Sequence, residues 1–438
     1  MKSSESTLSR RAFVQLAAAA AAGTSAGLMA SANFAYAAGS DTLRVGLVGC
    51  GGRGKGAARD AAVAADGVEV VALADVFQDR IDSAREELSA EIGEKLQVTD
   101  SRVYVGFDAY RHLIDDPSVN YVLLAAPGGF RPAHLRKAVE SGKHTFAEKP
   151  VAVDPVGCRE ISVLADEAAA KGMGILTGTQ RRHQPSYMET VRRIHDGQIG
   201  RVLSGRIYFN SQGLRYDEPQ PDWTDTEYQI RNFRLYTHLS GDCPLELLIH
   251  NVDVANWVMQ SHPTRVFATG GREAFPARYR GNIYDHFGID FEYSNGVHLY
   301  GFTRRQEATQ ARALEEFTGS DGMAVFADWG NNASIRGANS WRYEGEDQSS
   351  FVQEHADFIA SIRAGEPLNE AKRVAESNLT AIMARESAYT GREITWEEIA
   401  ESRQDLSVDE WRLGGMPEPP VATPGHTALD RNWLGQPV

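Results

Sequence analysis

The chain has 438 residues, enough for two domains, and 42% hydrophobic with 24% charged residues is ordinary for a globular protein, which excludes disordered and fibrous classes. Its formal net charge of −14 opposes contact with the phosphate backbone of nucleic acid. Cys50, Cys158 and Cys243 cannot all pair and have no zinc spacing, so we expect neither a disulfide framework nor a metal site.

The N-terminal segment predicts export. Adjacent arginines, Arg10 and Arg11, precede a weakly apolar, alanine-rich run over residues 13–30, and a small-residue cleavage pattern ends at Ala37. This arrangement resembles a twin-arginine signal, while the run has too few Leu and Ile residues for a good membrane anchor. We therefore expect residues 1–37 to engage the twin-arginine export machinery, and the mature chain to be periplasmic or extracellular, without a membrane span.

A βαβ unit follows the signal. An apolar strand from Leu43 leads into a glycine-rich turn, an alanine-rich helix and a second strand that ends at Asp75. The predicted cofactor-binding residues of the turn are Gly49, Gly51, Gly52, Arg53 and Gly54. Such glycines fit a tight turn, a close approach to pyrophosphate and close helix packing. The unit predicts a dinucleotide site in which Asp75 bonds the ribose hydroxyls and favours NAD, while Arg80 leaves NADP open.

The alternation of strands and helices continues to residue 177. Strands are predicted at 103–105, 122–125, 144–146 and 174–177, with helices between them. This pattern indicates a doubly wound α/β Rossmann domain over 43–180. Ligands bind beyond the carboxyl ends of such strands. The residues expected on that cofactor side are Pro127, Glu148, Lys149 and Gln180, followed by Arg181, Arg182 and His183.

Two segments carry candidate catalytic groups. Lys149 lies in FAEKPVAV at a predicted strand end, where an ammonium can bond a substrate hydroxyl and lower its pKa; the alternative is a surface lysine paired with Glu148. In GDCPLELLIHNVDVANW, Glu246, His250 and Asp253 share one face of a predicted helix. His250 can accept the hydroxyl proton and Glu246 can orient the imidazole; the alternative is a polar stripe at a domain contact.

The rest of the chain predicts a second, α+β domain over residues 181–400. Strands at 202–209, 265–269, 286–293 and 297–304 suggest an open, mainly antiparallel sheet. We expect C-terminal helices within 351–390 to pack back, and an irregular tail over 401–438. Residues proposed to bind a hydroxyl-rich or mildly acidic substrate are Arg181, His183, Tyr228, Arg231, Tyr236 and Asp253. Surface salt pairs are the alternative role for each arginine.

Together these segments resemble the glucose-fructose oxidoreductase, inositol dehydrogenase and rhizopine catabolism family, written Gfo/Idh/MocA. The resemblance rests on the glycine turn, on GKHTFAEKP and on the helical acid-x-x-x-His-x-x-Asp pattern, and it extends to about residue 400. It implies that Lys149, Glu246 and His250 serve hydride transfer at a sugar or polyol carbon, and that the second sheet makes homo-oligomer contacts, for which Tyr300 is suited. The family's usual helical acid is Asp, so the longer Glu246 is interpreted as orienting His250.

Export implies that the cofactor stays bound, because NADH released outside the cytoplasm could not be reoxidised by exchange with the cell's nicotinamide pool. The main hypothesis is therefore an exported sugar or polyol oxidoreductase with a tightly bound NAD or NADP. A redox-neutral glycosidase is the alternative: transient oxidation to a ketone, elimination of the aglycone, hydration and re-reduction, which needs no carboxylate pair. A cofactor-loaded scaffold or sensor is the non-enzymatic option.

Overall fold

The computed structural model describes residues 42–326, 333–347 and 349–438. The signal peptide predicted over residues 1–37 lies outside these ranges. Residues 42–438 cluster as one compact unit built around two β-sheets. In the described part of the chain, no helix combines the length and apolar character needed to cross a membrane.

The first sheet has six parallel strands in the order β3-β2-β1-β4-β5-β6. They are β1 Leu43–Val48, β2 Val68–Asp75, β3 Val103–Val105, β4 Tyr121–Leu124, β5 His144–Ala147 and β6 Ile175–Thr177. The central strands are buried on both faces, which explains why they read as continuous apolar runs. The strand order reverses between β1 and β4, and ligand crevices of doubly wound sheets lie at such a point.

Five helices cover this sheet. They are α1 Gly52–Ala64, α2 Gln78–Ile92, α3 Ala109–Asp115, α4 Arg131–Glu140 and α5 Pro155–Ala170. Helix α5 begins at a proline, and the Asp154 side chain accepts a hydrogen bond from the Gly157 N–H, which satisfies one of its free amides.

The second sheet has nine strands in the order β14-β13-β12-β11-β7-β10-β9-β8-β15. They are β7 Val202–Ser211, β8 Arg265–Gly271, β9 His286–Glu292, β10 His298–Arg305, β11 Arg312–Gly319, β12 Gly322–Phe326, β13 Ser334–Gly337, β14 Trp341–Arg342 and β15 Ile394–Thr395. All neighbours are antiparallel except β7 and β10. The predicted fold class, a Rossmann domain with a second, mainly antiparallel sheet, is confirmed.

Helices at 185–195, 249–259 and 371–390 contact the second sheet, and they are three of the seven further α-helices in the described residues. The seven are α6 Pro185–His195, α7 Asp225–Arg231, α8 Thr237–Ser240, α9 Ile249–Met259, α10 Ser350–Arg363, α11 Ala371–Thr390 and α12 Trp396–Glu401. Helix α11 contacts both β8 and α5. Phe358 and Ile362 of α10 belong to the same apolar core as β1 and α1, so these C-terminal helices join the two sheets.

The tail after α12 runs over both sheets. The Leu406 N–H donates to Asp154 at the start of α5, whereas Glu418 accepts from the Tyr236 hydroxyl. Near the chain end, Arg431 pairs with the buried Glu386 of α11 at 2.6 Å. Polar bonds to buried partners therefore fix this irregular segment along its length.

Candidate active site

A crevice lies at the carboxyl end of the first sheet, at the strand-order reversal. The first sheet contributes the glycine turn, the loop after β2 and Ala125 to Pro127 after β4. The opposite wall comes from the segment between β7 and α8. Its lining residues are Arg215, Asp217, Ile230, Arg231, Phe233 and Arg234.

The glycine turn forms an open cradle at one end of this crevice. A Cβ on Gly49, whose φ is +95°, would lie 2.5 Å from the Ala126 amide nitrogen, and one on Gly54 would lie 1.9 Å from the Gly49 carbonyl oxygen. Over Gly51 there is no atom within 4 Å of the same position. The turn therefore needs glycine twice for its own packing and leaves room for an anion at the N-terminus of α1, which fits a dinucleotide pyrophosphate.

Asp75 is held at the end of β2, facing the same crevice. Its carboxylate accepts the Cys50 N–H at 2.7 Å and the Phe77 N–H at 3.0 Å, one on each oxygen. Burial raises its pKa, against the lowering effect of those two bonds. Since each carboxylate oxygen has a second lone pair, Asp75 can still accept a ribose hydroxyl. Pro127 also lines the crevice, as expected.

Two other predicted cofactor residues, Glu148 and Gln180, are not among the lining residues, whereas Arg53 is. Arg53 reaches the crevice, but its guanidinium is turned to the buried Glu148 carboxylate, with which it forms an ion pair. Gln180 lies in a 3-10 turn, and its side-chain oxygen is buried without a hydrogen-bond partner. Glu148 is therefore an ion-pair partner of Arg53, and neither Glu148 nor Gln180 lies on the crevice wall.

The three predicted catalytic residues come together at the other end. The Lys149 ammonium, just beyond β5, donates to the backbone carbonyl of Glu246 at 2.5 Å. The Glu246 carboxylate lies 3.3 Å from Arg234 Nε and 3.2 Å from Arg305 Nη2. Arg234 lines the crevice, so this cluster adjoins the cavity through that side chain, although Lys149, Glu246 and His250 are not themselves among the lining residues.

The charges of this cluster oppose one another. Burial alone raises the pKa of Glu246, but Lys149, Arg234 and Arg305 outweigh it and lower that pKa to about 2. Burial lowers the pKa of Lys149, while the neighbouring Glu246 carboxylate acts in the opposite direction. Glu246 is thus a permanent anion that offsets three cations.

His250 is neutral in this environment. Burial lowers its pKa well below the ordinary value, and the positive charges of Lys149, Arg181 and Arg53 lower it further. Its Nδ1 atom is buried without a hydrogen-bond partner. A neutral imidazole beside an ammonium can accept a proton from a hydroxyl that the ammonium polarises.

The segment that carries Glu246 and His250 is not one regular helix. Residues Pro244–Leu248 form a wider π-helical turn before α9 begins. Glu246 consequently faces Arg234 and Arg305, whereas Asp253 accepts bonds from Arg182 and Arg373, at 2.8 and 2.7 Å. Asp253 is therefore not placed for the substrate contact expected of it, because protein donors occupy its buried oxygens.

Arg181 and His183 are likewise engaged within the protein. Arg181 pairs with Glu315 of β11, which is completely buried. His183 Nδ1 lies 2.7 Å from Asp357 Oδ2, and its Nε2 lies 3.8 Å from Glu370. These acids raise the pKa of His183 to about 9 although burial alone lowers it. The structure thus assigns both residues to ion pairs beneath the crevice rather than to its wall.

The two predicted substrate tyrosines are also turned away. The Tyr228 hydroxyl donates to Tyr216 at 3.3 Å, and Tyr236 is fully buried with its hydroxyl on Glu418. Their neighbours Arg231 and Arg234 face the crevice instead. The arginine-rich sequence indicated the right segment, but a 3-10 turn over Phe233–Leu235 decides which side chains point inward.

Comparison with known proteins identifies the family. Residues 43–173 match the model described as the oxidoreductase family with an NAD-binding Rossmann fold, and residues 187–325 match the C-terminal domain model of the same family. The chain belongs to the Gfo/Idh/MocA family. The predicted resemblance is thereby confirmed, as are an oxidoreductase function and NAD as the cofactor of the first domain.

The similarity to individual proteins is low in sequence identity. Inositol 2-dehydrogenase 1 of Saccharopolyspora erythraea is 27% identical over 308 residues, which are 66% of this chain and 80% of the relative. A glycosyl hydrolase family 109 protein of Shewanella pealeana is 26% identical over 314 residues, 69% of this chain and 67% of the relative. A structure of levoglucosan dehydrogenase with NADH and levoglucosan has a TM-score of 0.66 at 19% identity, covering 81% of this chain and 99% of that one, and supports the fold.

Among the described residues, there is no group of three or more His, Cys, Asp or Glu side chains suited to hold a metal ion.

Proposed function

We propose that this protein oxidises a hydroxyl-bearing carbon of a sugar or polyol, with NAD in the crevice. The observation that carries the proposal is the Lys149 ammonium near a neutral His250, in a cluster that contacts Arg234 on the wall of a crevice with a dinucleotide cradle. The inositol and levoglucosan dehydrogenases among the similar proteins support a carbohydrate substrate class.

The chain's own groups handle the proton. Lys149 donates a hydrogen bond to the substrate hydroxyl and lowers its pKa, and His250 accepts the proton that leaves. Glu246, held by Arg234 and Arg305, fixes Lys149 through its backbone carbonyl. Bound NAD supplies the acceptor for the hydride that leaves the carbon.

NAD is preferred to NADP in this proposal. Asp75 would repel the 2′-phosphate of NADP. The nearby Arg80, which is the cation available to bind that phosphate, instead forms an ion pair with Asp217 at 2.8 Å. We expect denatured protein to release NAD rather than NADP, near one per chain if binding is tight. Recovery of NADP would contradict this part of the proposal.

The test of activity is a screen of sugars and polyols against the purified protein, followed by absorbance of the reduced cofactor at its nicotinamide band. A substrate should give reduced cofactor and an oxidised product in equal amounts. Failure of every sugar and polyol to reduce the bound cofactor would contradict the proposal.

Hydrolysis of a glycoside is the second candidate, favoured by the similarity to the glycosyl hydrolase family 109 protein. It predicts cleaved glycoside without net accumulation of reduced cofactor. Reaction in heavy water distinguishes the two, since only the eliminative route incorporates solvent deuterium beside the oxidised carbon. Net oxidation without deuterium incorporation would reject it.

Export by the twin-arginine route is a further part of the proposal, supported by Arg10 and Arg11 before the alanine-rich run. We expect the protein in the periplasm or the medium of its host. A variant with both arginines changed to lysine should remain in the cytoplasm, and unchanged export of that variant would contradict this route.

We also propose a homo-oligomer that pairs the open face of the second sheet. Phe267, Tyr300 and Phe302 are exposed there by 54%, 44% and 39%, an apolar group typical of contact surfaces. Sedimentation should show an oligomer for the natural protein and a smaller species for Tyr300→Arg. A monomeric natural protein would contradict it.

A further inference from the structure

The second domain carries an arginine that faces the cofactor cradle. We propose that Arg215 binds the pyrophosphate of the dinucleotide, and that two ion pairs beside it hold the second domain over the adenosine half, so that the cofactor dissociates slowly. This inference rests on the proposed function, in which NAD occupies this crevice.

The position of Arg215 is the first observation. Above Gly52, the only atom within 4 Å of an added Cβ is Arg215 Nη1, at 4.0 Å. The neighbouring space over Gly51 is open. A guanidinium that faces this N-terminal turn of α1 completes an anion site from the opposite wall, because the amides and the helix dipole already favour negative charge there.

Arg215 is also the crevice arginine with the weakest attachment. Arg53, Arg234 and Arg231 are bound to Glu148, Glu246 and Asp79 at hydrogen-bonding distances or close to them. Arg215 instead has Nε 3.6 Å from Asp217, and its side chain is 65% exposed. Its N–H donors therefore remain available for a phosphate oxygen.

Two ion pairs join the same wall to the first turn of α2, which follows Asp75 in the chain. Arg80 Nη2 lies 2.8 Å from Asp217 Oδ2, and Arg231 binds Asp79 with two bonds of 2.8 and 2.9 Å. The Arg231 guanidinium also lies over the Phe77 ring, 4.1 Å from its centroid. A bound adenosine would leave only after these links between the two domains separate.

The experiment measures NADH release from full-length protein after dilution into excess NAD, by the loss of NADH fluorescence. We expect release from Arg215→Ala to be about 10- to 100-fold faster, the range for losing a hydrogen bond to a charged group. Arg215→Lys should fall between Arg215→Ala and the natural protein, and Asp217→Asn should be only a few-fold faster, as for an exposed ion pair. The matched control is Arg192→Ala, a 57% exposed arginine on α6 that does not line the crevice.

Release from the natural protein should also accelerate with salt, and less so for Arg215→Ala. If Arg215→Ala releases NADH within twofold of the Arg192→Ala control, the inference is wrong. The proposed sugar oxidation would still stand in that case. If the natural protein binds no dinucleotide at all, the proposed function fails together with it. Thermal unfolding of the cofactor-free variants, expected to match the control, shows that folding is intact.

Discussion

Two neighbouring groups of charged residues differ in how far their side chains are exposed to solvent. The crevice cluster contains Lys149, Glu246 and Arg234, and it opens into the cofactor cavity. The buried cluster contains Asp253 and the three side chains that donate hydrogen bonds to its carboxylate, namely Arg182, Arg373 and Ser377. The Asp253 side chain is buried. Residue type does not distinguish them, but unused donors and acceptors do. We therefore expect changes in the first to alter turnover and changes in the second to alter stability.

The largest effect should come from Lys149→Met. Loss of the ammonium removes the group that polarises the substrate hydroxyl, so kcat should fall about 10³-fold, within the usual range for general acid-base groups. Steady-state kinetics on the identified substrate would measure it. The control is Lys137→Met, which removes a lysine of α4 that pairs with Asp115 of α3, and it should retain activity. Full turnover by the Lys149 variant would contradict the catalytic role proposed for this lysine.

A stability loss of about 3 kcal/mol is expected for Asp253→Asn, because breaking a buried ion pair strands its partners. Arg182 and Arg373 would remain near a neutral amide. Urea unfolding measures the change, and kcat should stay within about twofold, as the residue is remote from the crevice wall. Asp166→Asn, an exposed acid of α5 beside Lys372, should cost far less. A large loss of kcat without a loss of stability would restore a substrate role for Asp253.

His183 should make stability depend on pH. Its pKa rises from 6.5 to about 9 on folding, so its charged form contributes stability that is fully present below pH 6.5 and is lost as pH rises through about 9. We expect the natural protein to exceed His183→Asn by about 2 kcal/mol at pH 6.5, somewhat less than the full shift implies, and by little above pH 9. Unfolding of both proteins across this range tests it. A difference that grows with pH would contradict the assignment.

The smallest of these effects belongs to Glu246→Gln. Glu246 raises the pKa of Lys149, so its loss should move the alkaline limit of activity to lower pH and reduce kcat about tenfold at neutral pH. Glu246→Asp keeps the charge and should recover part of the rate. A purely structural role would lower the stability but leave the pH profile in place.

The sequence predicted local units well and shared environments poorly. The glycine turn, Asp75 and Pro127 lie on the crevice because neighbouring strands and turns place them there, and such patterns are visible within a single βαβ unit. Lys149 and Glu246 could be expected to meet only through family resemblance, since 97 positions separate them in the chain.

The predicted substrate residues that lie off the crevice wall share one physical feature. His183, Tyr236 and Asp253 have the polar chemistry of substrate contacts, yet each found a partner inside the protein: Asp357, Glu418 and Arg373. A polar side chain that must be buried needs such a partner, and the partner is set by tertiary packing. The π-helical turn before α9 had no sequence signal that we recognised, and it separates Glu246 from the face of Asp253.

The C-terminal tail has a consequence for biosynthesis. Its residues bond to α5 through Leu406, to the segment behind the crevice through Glu418, and to α11 through Arg431. These contacts can form only after residues 406–431 have emerged from the ribosome. We therefore expect a chain that lacks residues 401–438 to leave Asp154, Tyr236 and Glu386 without these partners, and to unfold at a lower urea concentration than the natural protein.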